Sequence, residues 1–81
     1  MFEYRVVKTS ENDVEVYKVV EVYFDKHSGK INGWAPTSYT TALLWEEFDD
    51  LKVTVSHIVK ALEKPILLHI PEKNDALVEM Q

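Results

Sequence analysis

The 81 residues include nine Lys and Arg against fourteen Asp and Glu, which gives a formal net charge of −5 at pH 7. A chain below the usual domain size of roughly 100–150 residues holds one core, so we expect a single domain. The absence of cysteine excludes a disulfide scaffold, a thiol enzyme and a thiolate metal site. The acidic balance argues against a nucleic-acid partner, which would require clustered Lys and Arg.

The chain lacks an apolar run of the roughly 18–20 residues that a membrane span requires. Residues 1–5 do not combine a basic segment with an apolar one, as a secretory signal would. The sequence therefore predicts a cytoplasmic protein without a membrane partner.

Two strands open the chain. Residues 2–8 alternate in the period-2 pattern of a strand, and residues 14–24 are rich in Val, Tyr and Phe. The polar stretch 10–13 between them predicts a turn. We expect Val6 to lie opposite Val16, on the face of the sheet that also carries Val20.

Residues 25–29 predict a hairpin loop, and residues 30–35 predict a third strand. An even loop length places Phe24 opposite Ile31 and Val20 near Ala35. The predicted core face then contains the following side chains: Phe2, Val6, Val14, Val16, Val20, Val22, Phe24 and Ile31.

A helix is predicted over residues 46–64, which contain no Gly or Pro. Its apolar residues recur at spacings of 3, 4, 3 and 4, which is typical of an amphipathic helix. These residues are Phe48, Leu51, Val55, Ile58 and Leu62. Residues 36–45, before the helix, are compatible with a loop, a short strand or a helix start.

The predicted fold class is α+β: an antiparallel sheet of three or four strands with one long amphipathic helix packed on one face, in the order β-β-β-α. Residues 66–70 form either a short extra edge strand or a plug for the core. The domain is expected to cover residues 1–71, and residues 72–81 are expected to fray.

No catalytic, metal or cofactor site is predicted. His27, His57 and His69 fall in a predicted turn, a helix and a short strand, without the spacing of a metal motif. No Gly-rich phosphate loop and no Ser/His/Asp pattern is visible. We therefore expect a protein that is not an enzyme.

Four acidic residues crowd the predicted helix start: Glu46, Glu47, Asp49 and Asp50. Acids at this position complement the helix dipole and the unpaired N–H groups of the first turn. They could instead form a patch for a basic partner protein, such as the groove of a nuclease.

The second face of the predicted sheet gives the strongest functional indication. One helix covers one face, so aromatic and apolar side chains remain on the other. Large exposed patches on small proteins mark interfaces, and Tyr, Trp and Arg are enriched among the residues that dominate binding energy. The predicted interface residues are Arg5, Tyr17, Val19, Tyr23 and Trp34. Self-association would bury this patch.

Several segments together resemble a family of short, uncharacterised bacterial proteins. The family has a Tyr-Arg-Val-Val start, a Glu-Val-Tyr-Tyr-Asp strand, a Gly-Lys turn leading to Gly-Trp, and a helix closing in Ala-Leu-Glu-Lys-Pro. The corresponding segments here are Tyr4–Val7, Glu21–Asp25, Gly29–Trp34 and Ala61–Leu67. These are packing and turn motifs, so the resemblance implies a fold and no chemistry.

The order of three strands and a helix is also similar to that of HicB-like antitoxin domains, which bind a small toxin. That likeness is architectural, and a fold does not define a function. Two functions are therefore expected from the sequence. The first is a homodimeric interaction module that uses the second sheet face, and the alternative is an acidic antitoxin-like or phage anti-defence inhibitor of a basic nuclease.

Overall fold

A computed structural model of the chain describes residues 2–37 and 42–80. These residues form an α+β fold, in agreement with the predicted class, with a helix packed on a five-stranded sheet. The elements are β1 (Phe2–Glu11), β2 (Val14–Phe24), β3 (Ile31–Pro36), α1 (Phe48–Ala61), β4 (Leu67–Ile70) and β5 (Ala76–Glu79).

The sheet is mixed, with strand order β3-β2-β1-β4-β5. Neighbouring strands are antiparallel except β1 and β4, which pair in parallel with Val7 opposite Leu67. Parallel strands need a crossover connection, and here α1 forms part of it. The predicted antiparallel sheet of three or four strands is therefore corrected to a five-stranded mixed sheet, in which residues 67–70 form an inner strand.

The C-terminal segment adds a strand where the sequence led us to expect fraying. Residues 76–79 form β5, which pairs antiparallel with β4 and places Leu68 opposite Val78. The connection contains a 3₁₀ turn, Pro71–Lys73, followed by Asn74 and Asp75 with φ of 56° and 57°. Asn and Asp tolerate this left-handed conformation, so they allow the chain to reverse.

The turn between β1 and β2 changes which side chains share a face. Asn12 and Asp13 have φ of 51° and 65°, and Glu11 pairs with Val14, so the loop has two residues. Val6 consequently lies opposite Val19. The prediction that Val6 pairs with Val16 is wrong, because a register change by an odd number of residues moves side chains to the other face.

A bulge in β3 has a similar effect at the other edge. Phe24 lies opposite Ile31, as predicted, but Tyr23 lies opposite Gly33, so Asn32 is an extra residue in the ladder. Val20 therefore pairs with Pro36 rather than with Ala35, and Trp34 lies opposite Val22. The bulge turns Trp34 to the face that carries Val22.

The core lies on one face of the sheet, which we call the concave face. It contains Val7, Val20 and Val22, each 0% exposed, together with Leu67, which is 1% exposed. Leu77 completes the cluster, and Phe24, Ile31 and Trp34 pack against it. The core thus draws on all five strands.

The sheet must curl toward this face. β3 and β4 are three strand spacings apart, about 14 Å in a flat sheet. The rings of Trp34 on β3 and His69 on β4 are nevertheless only 4.9 Å apart. The indole N–H of Trp34 also donates to the carbonyl of Asp75, at 2.9 Å. The concave face is therefore closed largely by the sheet itself.

Helix α1 packs over β1. It lies on the opposite, convex face, where its His57 and Lys60 line a groove with Phe2 and Tyr4. Tyr4 and Val6 point to this face and are buried, whereas Tyr17 and Tyr23 on the neighbouring β2 are exposed. The expectation that the helix covers the face of Val20 and Val22 is therefore wrong. The curled sheet has already enclosed that face.

The helix begins at Phe48 and ends at Ala61, inside the predicted range of 46–64. Residues 62–64 continue as a turn, since the amides of Leu62 and Glu63 donate to the carbonyls of Val59 and Lys60 at 3.0 Å. Within the segment 36–45 that the sequence left open, residues 38–41 lie outside the described residues. Over 2–37 and 42–80, we find no helix with the length and apolar character needed to cross a bilayer.

Candidate interaction surface

Three of the predicted interface residues meet on the convex face. Tyr17, Val19 and Tyr23 alternate along β2, and Tyr17 is 60% exposed. The hydroxyl of Tyr23 donates to Glu21 at 2.9 Å, and its ring lies 6.0 Å from that of Phe2. This group, which we call the β2 patch (Tyr17, Val19 and Tyr23), borders the strand that the helix covers.

The other two predicted interface residues lie on the concave face. Arg5 is only 8% exposed, and its guanidinium donates to the carbonyl of Pro65 at 2.6 Å. Trp34 packs against the core and contacts His69. The five residues therefore do not form one surface, because the two-residue turn and the bulge at Asn32 reverse the facing of Arg5 and Trp34.

Glu21 lies between two tyrosines of the convex face and affects both. Burial raises the pKa of the Tyr4 hydroxyl above its ordinary value, and the Glu21 carboxylate adds to the effect. The hydrogen bond to Glu21 is the main reason why the pKa of Tyr23 is raised. Glu21 thus contributes to both shifts, as the main cause for Tyr23 and as the smaller one for Tyr4.

Helix α1 contributes a second apolar surface that the sequence interpretation assigned to the core. Thr54 and Ala61 are the buried residues within Phe48–Ala61. Leu51 and Ile58 are half-buried. The remaining residues of the predicted stripe, Phe48, Val55 and Leu62, are exposed, and so is the adjacent Val59. We call these four residues the helix stripe.

The way the helix is seated explains why the stripe is exposed. Thr54 and Ala61 are seven residues apart, so they lie two turns apart on the same side of the helix. Their small side chains allow close approach to β1. Phe48, Val55 and Leu62 have the same seven-residue spacing, displaced around the helix from that side. The 3-4 spacing in the sequence predicts an apolar face on this helix, but it does not predict whether that face is buried.

The four acids predicted at the helix start are all exposed. Asp49 lies 3.4 Å from the Lys52 ammonium. Glu47 occupies the N-cap position, but its side chain makes no capping hydrogen bond. The acids are therefore open to solvent, next to the first turn of α1.

The three histidines are separate in the fold, and the described residues 2–37 and 42–80 hold no group of three His, Asp or Glu side chains placed to bind a metal ion. His27 lies in the β2–β3 loop, where its backbone N–H donates to Asp25 at 2.7 Å. His57 lines a groove of about 460 Å³ together with Phe2, Tyr4 and Lys60. Each histidine thus has a different setting.

His69 takes part in a polar cluster that the sequence did not indicate. Its Nδ1 lies 2.8 Å from the Thr9 hydroxyl, and its Nε2 lies 2.9 Å from the Asp75 carboxylate. A carboxylate only accepts, so a neutral His69 donates from Nε2 and accepts the Thr9 O–H at Nδ1. Thr9 is buried in the sheet. The cluster joins β1, β4 and the turn before β5, next to Trp34.

Comparison with known proteins identifies no relative: no family model matches the chain, and neither a curated protein nor a solved structure matches it. The resemblance to short bacterial proteins therefore stays a prediction.

Proposed function

We propose that the protein is a non-catalytic interaction module that associates with a second copy of itself through its convex side. The supporting observation is the division of apolar side chains between the two faces. The concave face holds the closed core, whereas the β2 patch and the helix stripe remain exposed on the convex side. Exposed apolar patches on small proteins are a mark of interaction surfaces.

The size of the domain supports the same proposal. An isolated domain of this length buries a smaller share of its surface than a larger domain does, so an oligomeric contact adds apolar burial that one copy lacks. A two-fold contact presents the same patch from both copies, and an apolar patch is complementary to itself. No second protein is needed to cover the convex side.

Sedimentation velocity over the micromolar range tests this function. We expect the wild type to form a dimer and a triple variant, Tyr17→Ser with Tyr23→Ser and Val59→Ser, to sediment as a monomer with an unchanged circular dichroism spectrum. Val14→Ser is the matched control, because Val14 is as exposed as Tyr17 but lies on the other face of β2. A wild type that stays monomeric throughout would reject self-association.

A second candidate function uses the acids at the helix start. Glu46, Glu47, Asp49 and Asp50 are exposed together on a protein of net charge −5, as suits the inhibitor of a basic nuclease. Affinity capture from the host at low salt, analysed by mass spectrometry, should recover a basic protein. A variant with Lys at all four positions should lose it, and equal recovery by that variant would reject the candidate.

A further inference from the structure

We infer that two copies of this protein pair their α1 helices antiparallel, across a two-fold axis that passes close to Val55. The inference rests on the proposed function and specifies its contact. It selects the helix stripe as the centre of the interface, with the β2 patch outside that centre.

The spacing along the helix favours another helix as the occupant. Phe48, Val55 and Leu62 recur every seven residues, and Leu51 and Ile58 fall between them, which is the alternating 3-4 pattern of a helix-pairing seam. The seam is only partly used within one copy, since Leu51 and Ile58 are half-buried and the other three residues are exposed. A helix with the same spacing fills the open half by placing its side chains between these residues.

A second copy supplies such a helix in matched register. The stripe is centred on Val55, with Phe48 and Leu62 each seven residues away. In an antiparallel pair, Val55 meets its own equivalent at the axis, and Phe48 of one copy faces Leu62 of the other. Each end thus joins a large aromatic side chain to an aliphatic one. A parallel pair would place the two Phe48 side chains together and the two Leu62 side chains together.

Charge selects the antiparallel arrangement. Acids precede and begin the helix, namely Glu46, Glu47, Asp49 and Asp50, whereas Lys60 lies in its last turn. Glu63 and Lys64 follow it, and Lys64 is paired with Glu3 of the same copy. A parallel pair brings eight carboxylates to one end, where like charges repel. The antiparallel pair separates the two acidic ends, brings each of them toward Lys60 of the other helix, and also opposes the two helix dipoles.

The helix is held ready for this contact within each copy. Thr54 and Ala61 fix one side of it against the sheet, and Lys64 just beyond it forms an ion pair with Glu3 on β1. An isolated helix of fourteen residues would be marginal in water. Because the sheet already orders α1, pairing does not require the helix to fold at that moment.

The absence of native cysteine makes disulfide trapping specific. We expect Val55→Cys to give a covalent dimer under mild oxidation, because the two Cβ atoms meet at the axis. Phe48→Cys alone and Leu62→Cys alone should not cross-link, whereas a mixture of the two should give the mixed dimer. Val53→Cys is the matched control, since Val53 is exposed on the same helix but outside the stripe.

Each alternative gives a different result. Cross-linking of Phe48→Cys with itself and no mixed dimer would indicate parallel helices and overturn the inference. A sedimentation dimer without any helix cross-link would place the contact elsewhere, so the helix pairing would fail while self-association remained. Val55→Glu adds a second measurement. It should leave a monomer, because two carboxylates would be buried at the axis, whereas Val53→Glu should leave the dimer intact.

Discussion

The concave face and helix α1 both carry large apolar side chains but differ in how far these are buried. On the concave face, Val7, Val20 and Val22 are fully enclosed by the curl of the sheet. On the helix, the two buried residues are the small Thr54 and Ala61, while Phe48 and Leu62 are exposed. An apolar stripe in the sequence therefore does not reveal whether its side chains are buried within the chain. The concave face forms the core of the fold, whereas most of the large apolar side chains of the helix face solvent.

The largest expected difference comes from the same substitution made in the two regions. Leu67→Ala on the concave face should lower the free energy of unfolding by about 2–5 kcal/mol, because it leaves a cavity among fully packed side chains. Leu62→Ala on the helix should change it by less than about 0.5 kcal/mol, because Leu62 is 67% exposed. Urea denaturation, at a protein concentration low enough for the monomer, gives the free energy of unfolding of each variant. An equal decrease in the two variants would contradict the difference in burial between the regions.

The next effect concerns the polar cluster beside the concave core. Thr9→Val keeps the shape of the side chain but removes the hydroxyl that donates a hydrogen bond to Nδ1 of His69. We expect a loss of about 0.5–1.5 kcal/mol in the free energy of unfolding. Ser10→Ala is the control, because Ser10 is the exposed neighbour on β1. If both variants unfold at the same urea concentration, the cluster does not help to close the sheet.

A smaller, spectroscopic effect compares two tyrosines of the convex face. Glu21→Gln should lower the pKa of Tyr23, whose shift comes mainly from the hydrogen bond to Glu21. The pKa of Tyr4 should remain raised, because burial is the larger cause there. A titration followed by NMR of ring-labelled tyrosine resolves the two groups. An equal fall in both pKa values would mean that the helix does not shield Tyr4.

The smallest expected effect lies in the β2–β3 loop, away from both regions. The carboxylate of Asp25 accepts hydrogen bonds from the backbone N–H groups of Ser28 and His27 at 3.1 and 2.7 Å, and these bonds, Ser28 first, lower its pKa below the ordinary 3.8. Because the folded pKa is the lower one, the stabilisation is present above pH 3.8 and is lost as the pH falls through the folded value. Asp25→Asn should therefore make stability less sensitive to acid in this range, as thermal unfolding would show. An unchanged acid profile would count against the loop geometry.

The positions of the individual strands and of the helix were predicted well from the sequence, but the face of the sheet on which each side chain lies was predicted poorly. Three strands and the helix fall where periodicity places them, because alternation and 3-4 spacing are local properties of the chain. Two small features determine which side chains share a face. The Asn12–Asp13 turn set the register of β1, and the bulge at Asn32 turned Trp34 inward. Neither leaves a clear trace in hydrophobic periodicity.

The candidate surface was predicted in part for the same reason. Tyr17, Val19 and Tyr23 lie on one strand, so their shared face follows from alternation alone. Arg5 and Trp34 joined them only through the predicted registers, and both registers differ in the structure. The helix stripe was recognised as apolar, but its exposure depends on where the sheet curls, which is a property of all five strands together. β5 was missed because four residues after a turn carry too little pattern.

The parallel pairing of β1 with β4 also has a consequence for how the chain folds. Arg5 and Pro65, like Thr9 and His69, interact across sixty residues, whereas the β1–β2 hairpin closes through a two-residue turn. The hairpin can therefore form within microseconds, while the central strand pairing waits for a long loop to close. On the ribosome, the cluster of Val7, Val20 and Val22 stays incomplete until the segment carrying Leu67 has emerged. Between formation of the β1–β2 hairpin and the pairing of β4 with β1, a nascent chain of this protein is most prone to aggregate or to bind chaperones.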